Sequence, residues 1–207
     1  MVSTRPSTGV LYLRGDGPRA QTWVARGSAP CYVVPLAGWS AVVPAGPAAA
    51  PAPYDAGPAL LLARVVPSAM RSAVGFFQID GRLVATVHPP GWRAVTRWLV
   101  WESGRGLARL PSLPAAQPAD LVRAAGATAD VEQDLRDIFA ERSSAVSDVL
   151  ADVVGVLGLP GERLVLGRGV RSADGAVLIE PAARSVRQFQ RITSERKEIH
   201  DTIAGTV

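Results

Sequence analysis

The sequence predicts an α+β fold: an antiparallel β meander in the N-terminal half, then a helix–hairpin–helix C-terminal unit. Two β-type runs, residues 76–79 and 82–88, flank Asp80-Gly81. That dipeptide suits a type I′ turn, because both central positions of such a turn need positive φ. A third run covers residues 94–102, and residues 107–110 are predicted to begin a fourth strand. These runs make the meander the best-defined part of the prediction.

The residues before this meander predict further short strands and one helix. Turn residues and apolar patterns place the strands in four stretches of the chain: 10–14, 20–26, 31–36 and 39–43. Residues 58–65 form an apolar run that starts with Pro58, a residue favoured in the first turn of a helix. We therefore predict a helix over residues 58–65.

The C-terminal part shows helical spacing. From residue 131 to residue 157 apolar residues recur mostly at three- and four-residue steps, which predicts one helix with Asp130 as its N-cap. Residues 162–167 and 176–180 are predicted to pair as a hairpin. Pro181 then begins a last helix, over residues 182–203.

A proline-rich stretch, residues 111–118, is the best candidate for a boundary. It divides the chain into a β-rich unit, residues 1–112, and a helical unit with a short hairpin, residues 119–207. A linker this short also allows the two units to pack as one domain.

Composition indicates a globular chain, with 48% hydrophobic residues in 207. The single cysteine, Cys31, excludes an intramolecular disulfide and a multi-cysteine zinc site. The first ten residues lack the apolar core of a signal peptide, and no uncharged apolar run is long enough to cross a bilayer. We therefore expect a cytoplasmic protein without membrane insertion. The chain has 21 arginines, one lysine and no asparagine, a bias typical of GC-rich bacterial genomes.

Charge is distributed unevenly along the chain. Residues 1–127 hold 12 arginines and five acidic residues, whereas residues 128–207 hold ten basic and 13 acidic residues. An arginine-rich half is compatible with weak nucleic-acid binding. However, these arginines are scattered singly through strands and turns, so nucleic acid remains an alternative rather than the favoured partner.

Reactive residues are few and isolated. His88 ends a strand before Pro89-Pro90-Gly91, and Cys31 begins a β run, but neither has a catalytic partner nearby in the sequence. His200 lies among acidic residues at a spacing too common to predict a metal site. We therefore predict no cofactor and no metal. An enzyme with a site assembled from distant residues stays open, and its signature would be His88 clustered with Asp80 or Glu102.

Large apolar side chains provide the candidates for an interface. Tryptophan is enriched at binding hot spots, and apolar helix faces often pair with partners. The competing interpretation is that these side chains only fill the molecule's own core. The candidates are Trp92, Trp98, Trp101, Val146, Val149, Leu150, Val153 and Phe189. The resulting hypothesis is a non-catalytic bacterial protein that works by protein–protein interaction or self-assembly, as an adaptor or structural component.

A short pattern occurs twice. Residues 34–42 and 87–95 share valine, glycine-tryptophan and alanine-valine at the same spacing, 53 residues apart. A duplicated hairpin and a coincidence in an Ala/Val-rich chain both account for it. In either case, glycine would supply an unusual turn backbone and tryptophan would cover the sheet after it.

Overall fold

In a computed structural model of the chain, residues 7–204 are described, except for the side chains of residues 200, 203 and 204. Within this part of the chain, eight strands form one sheet and six α-helices surround it. The strands are β1 Thr8–Leu13, β2 Cys31–Leu36, β3 Trp39–Pro44, β4 Ala73–Ile79, β5 Arg82–His88, β6 Arg97–Glu102, β7 Gly106–Leu107 and β8 Val177–Ile179. The helices are α1 Gly17–Ala25, α2 Gly57–Leu62, α3 Pro118–Ala125, α4 Val131–Ala140, α5 Val146–Val156 and α6 Ala183–Ala204.

The sheet is antiparallel throughout, with strand order β7-β6-β5-β4-β1-β3-β2-β8. Strands lie mostly in the N-terminal half and helices mostly in the C-terminal half, which confirms the predicted α+β class. The predicted turn is also confirmed, because Ile79 pairs with Arg82 and the residues between them have positive φ, 49° at Asp80 and 76° at Gly81.

Helices cover both faces of the sheet. Successive residues of a strand point to opposite sides, so each strand contributes side chains to the packing on both faces. On one face, which we call the inner face, strand residues such as Tyr12, Phe76 and Trp101 pack under α3, α4 and α5. On the other, the outer face, Leu11, Phe77 and their neighbours pack under α1 and α2. The sheet is therefore the middle layer of three.

The strand predicted over residues 20–26 is wrong, because this segment lies in helix α1. Asp16 caps the helix by accepting the N–H of Arg19 at 3.1 Å, and Pro18 occupies its first turn. Its buried side chains, Ala20, Trp23 and Val24, follow helical spacing. Over only seven residues, apolar alternation did not distinguish a strand from a helix.

The single helix predicted over residues 131–157 is two helices, α4 and α5. The break follows Ala140, because Glu141 turns to an extended backbone with ψ 118°. Its carboxylate accepts hydrogen bonds from the backbone N–H and the hydroxyl of Ser143, at 2.7 and 2.6 Å. Local side-chain bonds of this kind compete with helix continuation.

The predicted hairpin of residues 162–167 with 176–180 is also wrong. Residues Glu162–Leu166 form a 3-10 helix between two left-handed glycines, Gly161 and Gly167. The second segment does form a strand, β8, but β8 pairs with β2 at the edge of the main sheet. Two left-handed glycines six residues apart are better suited to ending a short helical turn than to a straight strand.

The two predicted units meet across many contacts. Trp101 donates its indole N–H to the carbonyl of Phe139 at 3.0 Å, and Arg97 pairs with Asp120 at 2.8 Å. One hydrophobic cluster includes side chains from β1–β6 and from α3–α5. The division at residues 112 and 119 stays a prediction, and the packing shows that both segments contribute to one core.

Candidate functional site

Most of the apolar interface candidates lie inside the molecule. Trp101, Val149, Leu150 and Val153 are at most 1% exposed, and Val146 is also buried. All five belong to the cluster beneath the inner face of the sheet. These side chains fill the molecule's own core, which is the competing interpretation that the sequence left open.

Trp98 lies on the outer face and is half-buried, in contrast to Trp101 three residues later. It pairs in register with Thr86 of β5. The Trp101 side of strand β6 is fully covered, whereas the Trp98 side is only partly so, because α1 and α2 pack over the other end of the sheet.

Trp92 is the most exposed large apolar residue in the described chain, at 78%. It lies in the connection between β5 and β6, residues 89–96, which we call the Trp92 loop. Val95 of the same loop is 63% exposed, and the guanidinium of Arg93 lies 4.3 Å from the centroid of the Trp92 ring. The loop therefore presents an aromatic, an aliphatic and a cationic side chain to solvent together.

One arginine from outside the loop holds its backbone in place. The Nη1 of Arg71 donates to the carbonyls of Gly91, at 3.0 Å, and of Ala94, at 2.8 Å. Its Nε donates to the carbonyl of Val66 at 3.0 Å. Charge-assisted bonds of this kind are stronger than neutral ones. The peptide groups that follow Gly91 and Ala94 are thus fixed relative to the segment before β4.

His88 supports the base of the Trp92 loop. It is 2% exposed, and its Nδ1 lies 3.2 Å from the hydroxyl of Thr96. Its Nε2 is buried without a hydrogen-bond partner in the described part of the molecule. Burial, and secondarily the charge of Arg71, lowers the pKa of His88 to about 4. The imidazole is therefore neutral at pH 7. Its protonation would place a second cation beside Arg71.

The structure does not bring His88 together with the carboxylates that an assembled active site would need. Asp80 and Glu102 lie at the opposite end of β5, where Glu102 pairs with Arg82 at 2.8 Å. Seven residues of strand separate the two ends by roughly 20 Å. No cleft among those described joins the three side chains.

Phe189, the last interface candidate, is half-buried at a groove between α2 and α6. A second groove lies between α1 and the residues before β4. We call the pair the Arg64 grooves, because Arg64 lines both. The groove beside Trp23 has a volume of about 390 Å³ and is lined by Pro18, Arg19, Thr22, Trp23, Arg26, Arg64, Pro67, Ala69 and Met70. The groove beside Phe189 has about 330 Å³ and is lined by Arg26, Gly27, Ser28, Leu60, Ala63, Arg64, Ser185, Gln188, Phe189 and Ile192.

The Arg64 grooves were not predicted, for a structural reason. Their walls come from α1, from the residues around Arg64 and from α6, which lie far apart in the chain. Because residues 20–26 were predicted as a strand, Trp23 was placed in a sheet rather than on a helix. The signal that could have found α1 was Asp16 with Pro18, a cap followed by a first-turn proline.

Cys31 and His200 are the other candidates for chemistry. Cys31 is buried, and burial raises the pKa of its thiol to about 12, so it is protonated at neutral pH. The side chain of His200 lies outside the described residues. Among the described residues, no three histidine, cysteine or acidic side chains are grouped as metal ligands. None of the described helices has the length and apolar character needed to span a membrane.

Comparisons of the chain with protein-family models, with curated proteins and with solved structures give no match.

Proposed function

We propose that the protein works in the bacterial cytoplasm by binding another protein, or a second copy of itself, through the Trp92 loop. The observation that supports this proposal is the exposure of Trp92 on a backbone that Arg71 holds at Gly91 and Ala94. Tryptophan and arginine are the residues most enriched at binding hot spots.

The Arg71 contacts favour binding because they reduce its entropic cost. Ordering a loop and its side chains on association costs free energy, and a loop that is already fixed avoids part of that cost. An indole has only two rotatable side-chain bonds, so Trp92 supplies a large contact area with little further ordering. A fixed, exposed tryptophan is thus well suited to anchor an interface.

Two further apolar side chains lie in the segments that Arg71 connects. Val65 is 76% exposed and precedes Val66, whose carbonyl accepts from Arg71. Val95 lies in the loop itself. With Trp92 they are the three most exposed large apolar side chains in the described chain. An apolar centre with arginine at its edge is the usual composition of a protein interface.

The experiment is capture of partners by the tagged full-length protein from a lysate of the source organism, with Trp92→Ala as the test variant. Leu113→Ala is the matched control, because Leu113 is also exposed but lies outside the loop. We expect Trp92→Ala to lose the captured proteins and Leu113→Ala to keep them. Sedimentation of the purified protein at tens of micromolar tests self-association with the same two variants.

Capture that is unchanged in Trp92→Ala would contradict the proposal. A wild-type protein that captures nothing and sediments as a monomer would also contradict it. Nuclease treatment of the lysate tests the alternative that the protein binds nucleic acid. Captured material that disappears after nuclease treatment would be held through nucleic acid.

A further inference from the structure

Arg64 is held in a fixed position between its two grooves. Its guanidinium lies 3.8 Å from the centroid of the Trp23 ring, and Nη2 donates to the carbonyl of Trp23. A Cβ at Gly27 would come within 2.6 Å of Nη1, so the glycine provides the space that the guanidinium occupies. Stacking and hydrogen bonding thus fix the direction in which this cation points.

This cation has no acidic partner among the residues that the structure describes. No ion pair of Arg64 or Arg26 occurs among the described residues. Arg64 is half-buried, and burial lowers its pKa to about 10, which still leaves the guanidinium charged at pH 7. A positive charge that has lost part of its water without gaining a counter-ion favours an anion brought by a ligand.

The surroundings add apolar surface on each side of the cation. Trp23, Pro67 and Met70 line the first groove, and Phe189 and Ile192 line the second. Every charged residue that lines either groove is an arginine: Arg19, Arg26 and Arg64. Arg26 and Arg64 line both grooves. The two grooves therefore combine basic charge with apolar walls.

We propose that the Arg64 grooves bind an acidic peptide segment of a partner protein. A carboxylate of the segment pairs with Arg64 and Arg26, and apolar side chains next to that carboxylate pack beside Trp23 and Phe189. This site is separate from the Trp92 loop, and the inference does not depend on the function proposed for that loop.

A peptide fits these observations better than a nucleic acid does. A strand of nucleic acid is bound by aromatic faces on which bases stack and by arginines that follow its phosphates. Here the guanidinium of Arg64 already covers one face of the Trp23 ring. The grooves, of about 390 and 330 Å³, have room for apolar side chains of a peptide beside the arginines.

The test is a titration of the ¹⁵N-labelled full-length protein with the synthetic peptide acetyl-EDELFDE-amide, followed by NMR. The reporter is the indole N–H of Trp23, which donates to the carbonyl of Val65 at 3.2 Å and is assigned from a Trp23→Phe variant. The control peptide is acetyl-QNQLFNQ-amide, which has the same apolar residues and no charge. We expect the acidic peptide to shift the Trp23 signal and the neutral peptide to bind about tenfold more weakly or worse.

Two variants locate the site. Arg64→Gln and Arg26→Gln should each weaken binding of the acidic peptide by about tenfold, since each removes a charge-assisted contact. Arg123→Gln is the matched control, because Arg123 is exposed on α3 at the opposite face of the sheet. Circular dichroism checks folding. If Arg64→Gln does not fold, Arg26→Gln tests the site alone. The side chain of Arg26 is exposed and makes no hydrogen bond in the described chain, so its loss should not disturb the fold.

Several outcomes would overturn the inference: no Trp23 shift at millimolar peptide, equal binding of both peptides, or equal losses in Arg123→Gln and Arg64→Gln. Tighter binding of oligothymidylate or of anionic phospholipid vesicles, with the same dependence on Arg64, would assign the grooves to that ligand instead and also overturn it. Trp92→Ala should leave peptide binding unchanged, so failure of the loop proposal and failure of this one can be told apart.

Discussion

Glycine-tryptophan occurs at residues 38–39 and at residues 91–92, and the two indoles have opposite surroundings. Trp39 begins strand β3 after a two-residue turn, is 6% exposed and lies 3.6 Å under the guanidinium of Arg14. Trp92 lies within an eight-residue loop, is 78% exposed and contacts Arg93 of its own loop. Each glycine lies in the connection between two paired strands, so the shared pattern marks two hairpins of different length.

The difference shows that register, rather than local sequence, decides the burial of a tryptophan. Trp39 pairs with Leu36, and this pairing directs its side chain to the inner face, where Tyr12 meets it edge-on at 6.0 Å between centroids. Trp92 pairs with no strand in the described part of the chain. Its position follows from Arg71, which lies 21 residues earlier in the chain.

The two tryptophans should differ most clearly in how much their replacement by alanine changes the stability of the fold. Trp39→Ala should destabilise the fold by about 3–5 kcal/mol, because it leaves a cavity in the core. Trp92→Ala should change stability by less than about 0.5 kcal/mol, as exposed positions do. Urea unfolding of both variants measures the difference. Similar midpoints for the two variants would mean that their burial does not differ as described.

A pH experiment examines the base of the exposed loop. With a folded pKa of about 4 at His88 against about 6.5 when unfolded, the unfolded chain binds more protons between these values. Stability from this residue is therefore complete above pH 6.5 and falls by about 2–3 kcal/mol as the pH drops towards 4. Urea unfolding between pH 4 and pH 7 measures this slope.

The control separates His88 from the acidic residues that also titrate at low pH. His88→Phe cannot protonate at this position, so its stability should depend less on pH between 4 and 6.5 than that of the wild type. If the free energy of unfolding depended on pH equally in the wild type and in His88→Phe, that result would contradict a neutral, buried imidazole.

Arg71→Gln should free the backbone of the Trp92 loop while leaving Trp39 in place. The substitution removes hydrogen bonds to three carbonyls and should cost about 1–3 kcal/mol. Amide exchange of residues 91–96 should become faster, and exchange near Trp39 should not change. Arg93→Gln is the control, because Arg93 contacts the Trp92 ring rather than the loop backbone. Unchanged exchange in the loop would show that Arg71 does not hold it.

The sequence predicted features that depend on neighbours in the chain. The β4–β5 hairpin follows from Asp80-Gly81 between two β-type runs, and α2 follows from an apolar run that starts with Pro58. Trp92 was a candidate for exposure, but so was Trp101, and no local signal separates them. Trp101 is buried because α4 lies over it and accepts its N–H through Phe139.

The candidate sites could be predicted only in part for the same reason. Trp92 and Phe189 were proposed as interface residues from residue type and helix pattern. The Arg71 contacts and the Arg64 grooves join segments that are about 20 or more residues apart, and such contacts leave no local pattern. Distant contacts therefore determine which side chains of this protein face solvent.

Replacing a glycine in a tight turn should change the stability of the fold less than the replacement of Trp39 or Arg71 does. Gly38 and Gly81 both occupy the second position of a two-residue turn, with φ 75° and 76°. Gly81→Val should destabilise the fold by about 1 kcal/mol or more, because a β-branched residue resists positive φ. Gly81→Asn is the matched control and should cost less, since asparagine tolerates this conformation. A urea midpoint in Gly81→Val equal to that of the wild type would show that the β4–β5 turn does not require a left-handed residue, and register alone would then determine this hairpin.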